Sequence, residues 1–132
     1  MIFEKYLIHP DTIIFQTDKS FIFLSYKPFT KYHLLISPIK IKPRLKDLTK
    51  EELLDLSKCV YTAVKVLKRQ FNGCSVGLQD GKAAGQSVFH LHFHVLPLQT
   101  GHFDCERQEL SHEEMKNLAQ ELKPFFLEEF NN

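Results

Sequence analysis

A chain of 132 residues, 43% of them hydrophobic, is long enough for one globular domain with a sizeable core, and we expect residues 1–132 to form that domain. The formal net charge of +1 gives no overall attraction to nucleic acid or to acidic membranes, so neither is expected as a partner. No apolar run approaches membrane-spanning length, and the first residues do not resemble a signal peptide. The three cysteines are an odd set without clustered spacing, which predicts a reducing compartment, the cytoplasm or the nucleus.

The first elements in chain order are predicted to be strands. Residues 12–16 and 21–26 are rich in β-branched and aromatic side chains, and the polar residues 17–20 between them predict a hairpin turn. Pro28 ends the second strand, and residues 33–37 form a third.

A long helix is predicted next. Thr49, followed three residues later by Glu52, has the pattern of a capping box, and an apolar stripe at helical spacing continues to residue 71. Asn72-Gly73 predicts a left-handed cap at the end of this helix. Cys59 lies near the apolar stripe and is interpreted as a core residue and not as a reactive thiol.

Two more strands and a second helix complete the pattern. Residues 74–79 and 87–96 are predicted strands. Ser111 and Glu114 repeat the capping box and open a C-terminal helix, which Pro124 should interrupt or end. The order β-β-β-α-β-β-α, with short connections, predicts an α+β fold. We expect a mainly antiparallel sheet of about five strands with one long helix on one face and a C-terminal helix.

The segment His90-Leu91-His92-Phe93-His94 is the most informative part of the chain. Its alternation predicts a strand that directs Leu91 and Phe93 into a core and the three histidines to the other face. Imidazole has the unperturbed pKa nearest neutrality, so three in a row favour a catalytic site. The preceding residues 80–88 supply glycines, backbone amides and short polar side chains that can hold a phosphate or another oxyanion.

Two other interpretations of the three histidines are a surface strand without chemistry and a metal site. Strand rise separates His90 from His94 by roughly 13 Å, too far for two ligands of one zinc ion. A metal would therefore need two of the three together with other ligands such as His33, His102 or Cys105, and no recognisable ligand spacing joins these. We expect no metal site within the protein and no tightly bound cofactor.

Residues 90–96 match the motif His-φ-His-φ-His-φ-φ, where φ is apolar, and on this motif the chain resembles the histidine triad family. Similarity to the fragile histidine triad branch extends over residues 3–10, 20–28, 46–48 and 79–97. The nucleoside phosphoramidase branch usually has a glycine pair after the motif and a Trp-Pro tail, whereas Pro97 follows here and tryptophan is absent. The uridylyltransferase branch replaces the third histidine by glutamine, but His94 is present.

The resemblance implies an activity. Members of the fragile histidine triad branch are dinucleoside polyphosphate hydrolases, with diadenosine triphosphate as the usual substrate. The expected products are a nucleoside monophosphate and the remaining nucleotide, formed through a nucleotidyl-histidine intermediate. Two alternatives stay open. One is a nucleoside phosphoramidate or adenylylated-amine hydrolase, and the other is a nucleotide-binding signalling module with slow turnover.

The resemblance also implies a homodimer. Apolar area near the C-terminus, from Phe125, Phe126 and Phe130, offers independent support for self-association. The expected ligand is a dinucleoside polyphosphate or another nucleotide, with room for a divalent cation bound together with the polyphosphate.

Roles for individual residues follow from the same resemblance. His92 corresponds to the nucleophile that attacks the α-phosphorus. His90 and His94 flank the reacting phosphate, His94 also matches a substrate-contacting position, and His33 matches a supporting histidine. The matching phosphate- and ribose-binding positions are Gln79, Gly85, Gln86, Ser87 and Val88, while Ser25 and Tyr6 stand where an asparagine and a histidine are common.

The chemistry is intelligible from the side chains alone. An imidazole attacks phosphorus when it is unprotonated and its other nitrogen donates a hydrogen bond. Imidazoles on both sides of His92 raise the electrostatic cost of protonating it. Backbone N–H groups of residues 85–88 are expected to meet the charge on the phosphate oxygens. Either His90 or His94 is a candidate to protonate the leaving group.

Overall fold

The computed structural model describes residues 1–97 and 109–132, so His102 and Cys105 lie outside the described residues. A two-stranded hairpin comes first, β1 (Ile2–Phe3) and β2 (Tyr6–Leu7). An antiparallel sheet in the order β3-β4-β5-β7-β6 follows, and its strands are β3 (Ile13–Gln16), β4 (Ser20–Leu24), β5 (Leu34–Pro38), β6 (Ser75–Leu78) and β7 (Phe93–Leu96). The two helices are α1 (Lys50–Leu67) and α2 (His112–Phe130).

This architecture confirms the predicted α+β class, with five antiparallel strands and two helices. The predicted hairpin is β3 and β4, and its turn is closed by the Thr17 N–H donating to the Ser20 carbonyl at 2.9 Å. Within the described residues, no helix combines the length and the apolar character needed to cross a membrane.

The two faces of the sheet carry different side chains. Strand register places Ile22 of β4, Ile36 of β5 and Phe93 of β7 side by side on the face that α1 and α2 cover. At the next pair of residues in the register, Leu35 of β5 lies beside His94 of β7 on the opposite face. A second apolar cluster covers part of that opposite face, made by Phe3, Phe21, Phe23 and Leu35.

Both predicted capping boxes are present. The Thr49 hydroxyl accepts from the Glu52 N–H at 3.1 Å while the Glu52 carboxylate accepts from the Thr49 N–H at 2.8 Å. Ser111 and Glu114 make the same reciprocal pair at the start of α2. These side chains satisfy backbone N–H groups that a helix N-terminus leaves without partners, and they fix where each helix begins.

Two helix predictions were wrong at the C-terminal side. Helix α1 ends at Leu67, before the predicted cap, and Gly73 is not among the described glycines with positive φ. Residues 69 and 70 continue in tight turns, after which the Phe71 ring packs 5.7 Å from that of Tyr32. Helix α2 runs through Pro124, because Leu122 and Phe126 on either side of it are buried in the core.

The predicted strand over residues 87–96 was too long, since β7 begins only at Phe93. The backbone of Leu91, just before β7, forms hydrogen bonds outside the strand ladder. The Leu91 N–H donates to the Lys42 carbonyl, and the Ser37 hydroxyl donates to the Leu91 carbonyl, both at 2.8 Å. The predicted alternation nevertheless holds. Leu91 and Phe93 join the helix-side core, and His94 lies on the opposite face.

The hairpin β1–β2 was not predicted from the sequence. Its turn contains Glu4 with φ of 55°, the one non-glycine residue with positive φ among the described residues. A left-handed backbone costs a residue with a Cβ about 1–2 kcal/mol, so the surrounding contacts must hold Glu4 in this conformation. Those contacts involve the histidine segment.

Candidate active site

The two ring nitrogens of His92 are in different positions: Nδ1 is hydrogen-bonded to the backbone, and Nε2 lies on the other side of the ring. Its Nδ1 lies 2.7 Å from the carbonyl oxygen of His90. A carbonyl only accepts, so Nδ1 carries the hydrogen and Nε2 carries the lone pair. Burial lowers the pKa of His92 below its ordinary value of 6.5. The neutral imidazole, with Nε2 available as a nucleophile, is therefore the dominant form near neutral pH.

His90 is fully buried and both of its ring nitrogens are bonded to backbone. Nδ1 accepts from the Glu4 N–H at 2.8 Å, and Nε2 lies 2.6 Å from the Pro38 carbonyl, to which it donates. Burial lowers the pKa of His90, so it is neutral in this environment. Both nitrogens of His90 are thus engaged within the protein, and its carbonyl accepts from His92. Its expected place beside the reacting phosphate stays a prediction.

The N-terminal hairpin shields this part of the triad. The Phe3 ring lies 5.1 Å from the imidazole of His90 and 5.0 Å from that of His92, centroid to centroid. The Glu4 carboxylate also accepts from the Phe89 N–H at 3.3 Å. The hairpin thus supplies both the desolvation that keeps these imidazoles neutral and the N–H group that fixes the His90 ring.

His94 lies beside His92 and is oriented by His33. The rings of His92 and His94 are 5.0 Å apart, and Nδ1 of His94 lies 2.8 Å from Nε2 of buried His33. Nδ1 of His33 accepts from the Phe29 N–H at 3.1 Å, so the hydrogen of neutral His33 is on Nε2 and is donated to His94. In neutral His94 the remaining hydrogen is then on Nε2, where it can be transferred.

The loop before the triad is ordered largely by Gln86. Its side chain is buried and accepts from the Gly81 N–H at 2.8 Å, while its amide donates to the Pro43 carbonyl at 2.8 Å and to the Val88 carbonyl at 3.1 Å. Three bonds within the protein occupy this amide. Gln86 therefore shapes the loop, and its expected contact with substrate stays a prediction.

The loop amides divide into two pairs. The N–H groups of Gly85 and Gln86 donate within the loop, to the carbonyls of Lys82 and Gly81 at 3.0 and 3.2 Å. Those of Ser87 and Val88 donate to no atom of residues 1–97 and 109–132. Of the four N–H groups over residues 85–88 that were expected to bind an oxyanion, only those of Ser87 and Val88 are therefore available for it.

Three other residues expected at the site lie around its edges. Gln79 is exposed and its amide nitrogen would be 2.6 Å from a Cβ at Gly85, whose φ is 95°, so this glycine permits a close approach. Ser25 is buried at the end of β4, where its N–H donates to the His33 carbonyl at 3.0 Å. Tyr6 is half exposed on the hairpin.

An ion pair that sequence reasoning did not single out fastens the loop. The Asp80 carboxylate accepts from the Leu45 N–H at 3.1 Å and from Arg44 Nε at 3.0 Å. The backbone bond from Leu45 and the Arg44 guanidinium hold the pKa of Asp80 below its ordinary value. The guanidinium also lies over Gly81, whose φ of 107° suits only glycine.

The HIT domain model matches residues 8–101. The bis(5'-adenosyl)-triphosphatase of Dictyostelium discoideum is 38% identical over 141 residues, covering 98% of this chain and 95% of that protein. Among solved structures, the Plasmodium falciparum diadenosine triphosphate hydrolase, in complex with cyclomarin A, superposes with a TM-score of 0.84 at 30% identity. The match covers 98% of this chain and 85% of that one.

A second solved structure, the NitFhit protein of Caenorhabditis elegans, superposes with a TM-score of 0.81 at 34% identity over 95% of this chain and 30% of that one. The triad and the sheet that carries it lie inside the matched region. The chain belongs to the HIT domain family, within its fragile histidine triad branch.

Proposed function

We propose that this protein hydrolyses dinucleoside polyphosphates of the bis(5'-adenosyl)-triphosphate type to a nucleoside monophosphate and the remaining nucleotide. The observation that carries the proposal is the His92 imidazole. Its Nδ1–H is held by the His90 carbonyl, and its pKa is lowered by burial. Similarity to a bis(5'-adenosyl)-triphosphatase, 38% identical along nearly the whole chain, supports the substrate class.

The reaction proceeds in two displacements at the α-phosphorus. In the first, Nε2 of His92 forms a P–N bond while the bond from phosphorus to the bridging oxygen breaks, and a nucleoside diphosphate leaves from a triphosphate substrate. In the second, water attacks phosphorus, the P–N bond breaks, and the nucleoside monophosphate leaves. Division into two steps replaces one difficult displacement by two easier ones.

The remaining groups manage charge and protons. The N–H groups of Ser87 and Val88 are the donors for the non-bridging oxygens. Because both nitrogens of His90 bond to backbone, His94 is the residue that protonates the leaving group, with His33 fixing its orientation. A divalent cation bound with the substrate would neutralise further phosphate charge.

A paired assay tests the substrate class. We expect kcat/KM for diadenosine triphosphate to exceed that for an adenosine phosphoramidate by orders of magnitude. The opposite ranking would assign the protein to phosphoramidate hydrolysis with the same His92 chemistry. Chirally labelled α-phosphorus tests the covalent step, since two in-line displacements give net retention and direct attack by water gives inversion.

We also propose that the protein is a homodimer in the cytoplasm. The C-terminal phenylalanines, which the sequence suggested as the contact surface, do not support this dimer. Phe126 is fully buried, and Phe125 and Phe130 pack against the same core, so the C-terminal phenylalanines are used within one chain. The better support is β6, which is an edge strand, together with Leu54 and Tyr61, which are exposed on α1. These two side chains are seven residues apart and share a helix face.

Light scattering tests the assembly. We expect a dimer mass at micromolar concentration that falls to a monomer mass in a Leu54→Lys/Tyr61→Lys variant, because charges replace apolar area on this face. Fully active monomers of the unaltered chain would reject the homodimer.

A further inference from the structure

Three potential metal ligands meet on the surface away from the triad. His9 precedes the short 3-10 turn Pro10–Thr12, Asp11 lies within this turn, and His112 is the first residue of α2. One carboxylate oxygen of Asp11 lies 3.6 Å from Nδ1 of His9 and 3.8 Å from Nε2 of His112. One ligand atom from each residue lies within 4.8 Å of those of the other two. The fold thus joins two residues of the N-terminal segment to one from a distant helix.

We propose that His9, Asp11 and His112 form a binding site for a divalent transition-metal ion of the zinc class. Two imidazoles and a carboxylate are ligands that such ions accept, at about 2.0–2.2 Å each, which places tetrahedral ligand atoms about 3.4 Å apart. The two separations between Asp11 and the imidazoles, 3.6 and 3.8 Å, need to close by a few tenths of an ångström. The ligand nitrogens of His9 and His112 lie within 4.8 Å of each other and need to close by at most about 1.4 Å.

The surroundings suit an ion that enters from solvent. The side chains of His9, Asp11 and His112 are 58%, 45% and 49% exposed, so water can reach the ion as a further ligand. The two imidazoles already lie with ring centroids 4.6 Å apart at 73°. Binding would displace one exposed hydrogen bond, the Asp11 N–H to Nδ1 of His9 at 3.1 Å.

The site would act as a clip and not as part of the phosphate chemistry. The turn at residues 10–12 packs against α2, and an ion shared by His9 and His112 ties the segment before β3 to the first turn of that helix. An ion that binds only the folded chain raises its stability by mass action. The expected effect is a higher midpoint of thermal unfolding with unchanged turnover.

Zinc and cobalt titrations of the whole protein test the proposal. We expect a calorimetric titration with Zn²⁺ to show one site whose affinity falls by at least about 100-fold in His112→Ala and in Asp11→Asn, and Co²⁺ to give visible absorption bands that these variants lose. All three side chains are exposed, so these variants should fold. Glu113→Gln, which removes a neighbouring negative charge from α2 without removing a ligand, should bind as the unaltered protein does.

Metal could instead bind the histidines of the triad. The titration is therefore repeated in His92→Asn, where we expect the same single site. Equal Zn²⁺ affinity in the unaltered protein and in His112→Ala, or loss of the site in His92→Asn alone, would overturn the proposal. An absence of Zn²⁺ binding at pH 7.5 would overturn it as well, leaving the cluster as a surface contact between Asp11 and two imidazoles.

Discussion

The two faces of the central sheet are built from the same strands but from different kinds of side chain. The face under the helices is mainly aliphatic, with Ile22, Ile36 and Val95 among its fully buried members. The opposite face combines the rings of Phe3, Phe21 and Phe23 with imidazoles. A step of one residue along the chain therefore separates a position that holds the fold together from one that the proposed reaction uses. Substitutions at adjacent positions should have opposite consequences.

The largest expected effect is at His92, on the face of the sheet that carries the imidazoles. Replacing it by Asn removes the nucleophile but keeps a polar side chain of similar length, and packing under the helices is untouched. Turnover should fall by several orders of magnitude, about 5 kcal/mol or more of transition-state stabilisation. Quenched-flow measurement of nucleotidylation should find none, while the midpoint of thermal unfolding stays near that of the unaltered protein. Near-normal turnover would remove the covalent mechanism.

One residue away, Leu91→Ala should show the reverse behaviour. Leu91 is fully buried against the helices, so truncation removes apolar contact and leaves a cavity. We expect the free energy of unfolding to fall by about 2–5 kcal/mol, measured by denaturant titration. Because the His90 carbonyl and His92 remain in place, kcat per folded molecule should change little. A loss of turnover as large as that of His92→Asn would show that the two faces are not separable.

A smaller effect is expected at His33, which acts on the reaction through His94. His33→Asn can keep an acceptor for the Phe29 N–H but no longer reaches His94 as a donor, whereas His33→Gln extends far enough to keep that donor. We expect His33→Asn to lose about 10–100-fold in kcat with little change in KM, the cost of a buried partner left unsatisfied. His33→Gln should recover part of the loss. Equal kcat in both variants would reject positioning of His94 by hydrogen bonding.

The smallest expected effect is a pH dependence of stability, which arises from His90 and His92. Burial lowers the pKa values of His90 and His92 below 6.5, so the unfolded chain binds protons at a higher pH than the folded protein does. The stability that their neutral forms contribute is fully present above pH 6.5. It is lost as the pH falls through the lower pKa values of the folded protein.

The midpoint of thermal unfolding should therefore decrease below pH 6.5, and less steeply in His90→Gln, which cannot take up that proton. Leu91→Ala should shift the midpoint by a similar amount at every pH. An unchanged slope in His90→Gln would show that His90 is not buried in its neutral form.

Much of this arrangement was predictable from local patterns. Alternation at residues 90–94 placed Leu91 and Phe93 on the helix side, and the capping boxes at Thr49 and Ser111 set the starts of both helices. These signals lie within a few residues of the features that they determine, so tertiary structure does not alter them.

Other features were not predictable because distant contacts decide them. The strands of the N-terminal hairpin have two residues each, and Glu4 is not a residue type that signals a left-handed turn. Its conformation depends on His90, which follows 86 residues later. The late start of β7 depends on Lys42, and the continuity of α2 through Pro124 depends on core packing. The pairing of His9 and Asp11 with His112 likewise exists only once α2 has docked.

The bond from His92 to the His90 carbonyl has an evolutionary consequence. In many catalytic sites the group that orients a reactive histidine is a side chain, which a single codon change can delete. Here the acceptor is main chain, present whatever amino acid occupies position 90. Genetic variation can therefore alter this hydrogen bond by displacing that peptide unit, through the residues that pack around it. Variation in turnover should then map to positions such as Phe3, whose ring packs against His90 and His92, and Pro38, whose carbonyl accepts from His90.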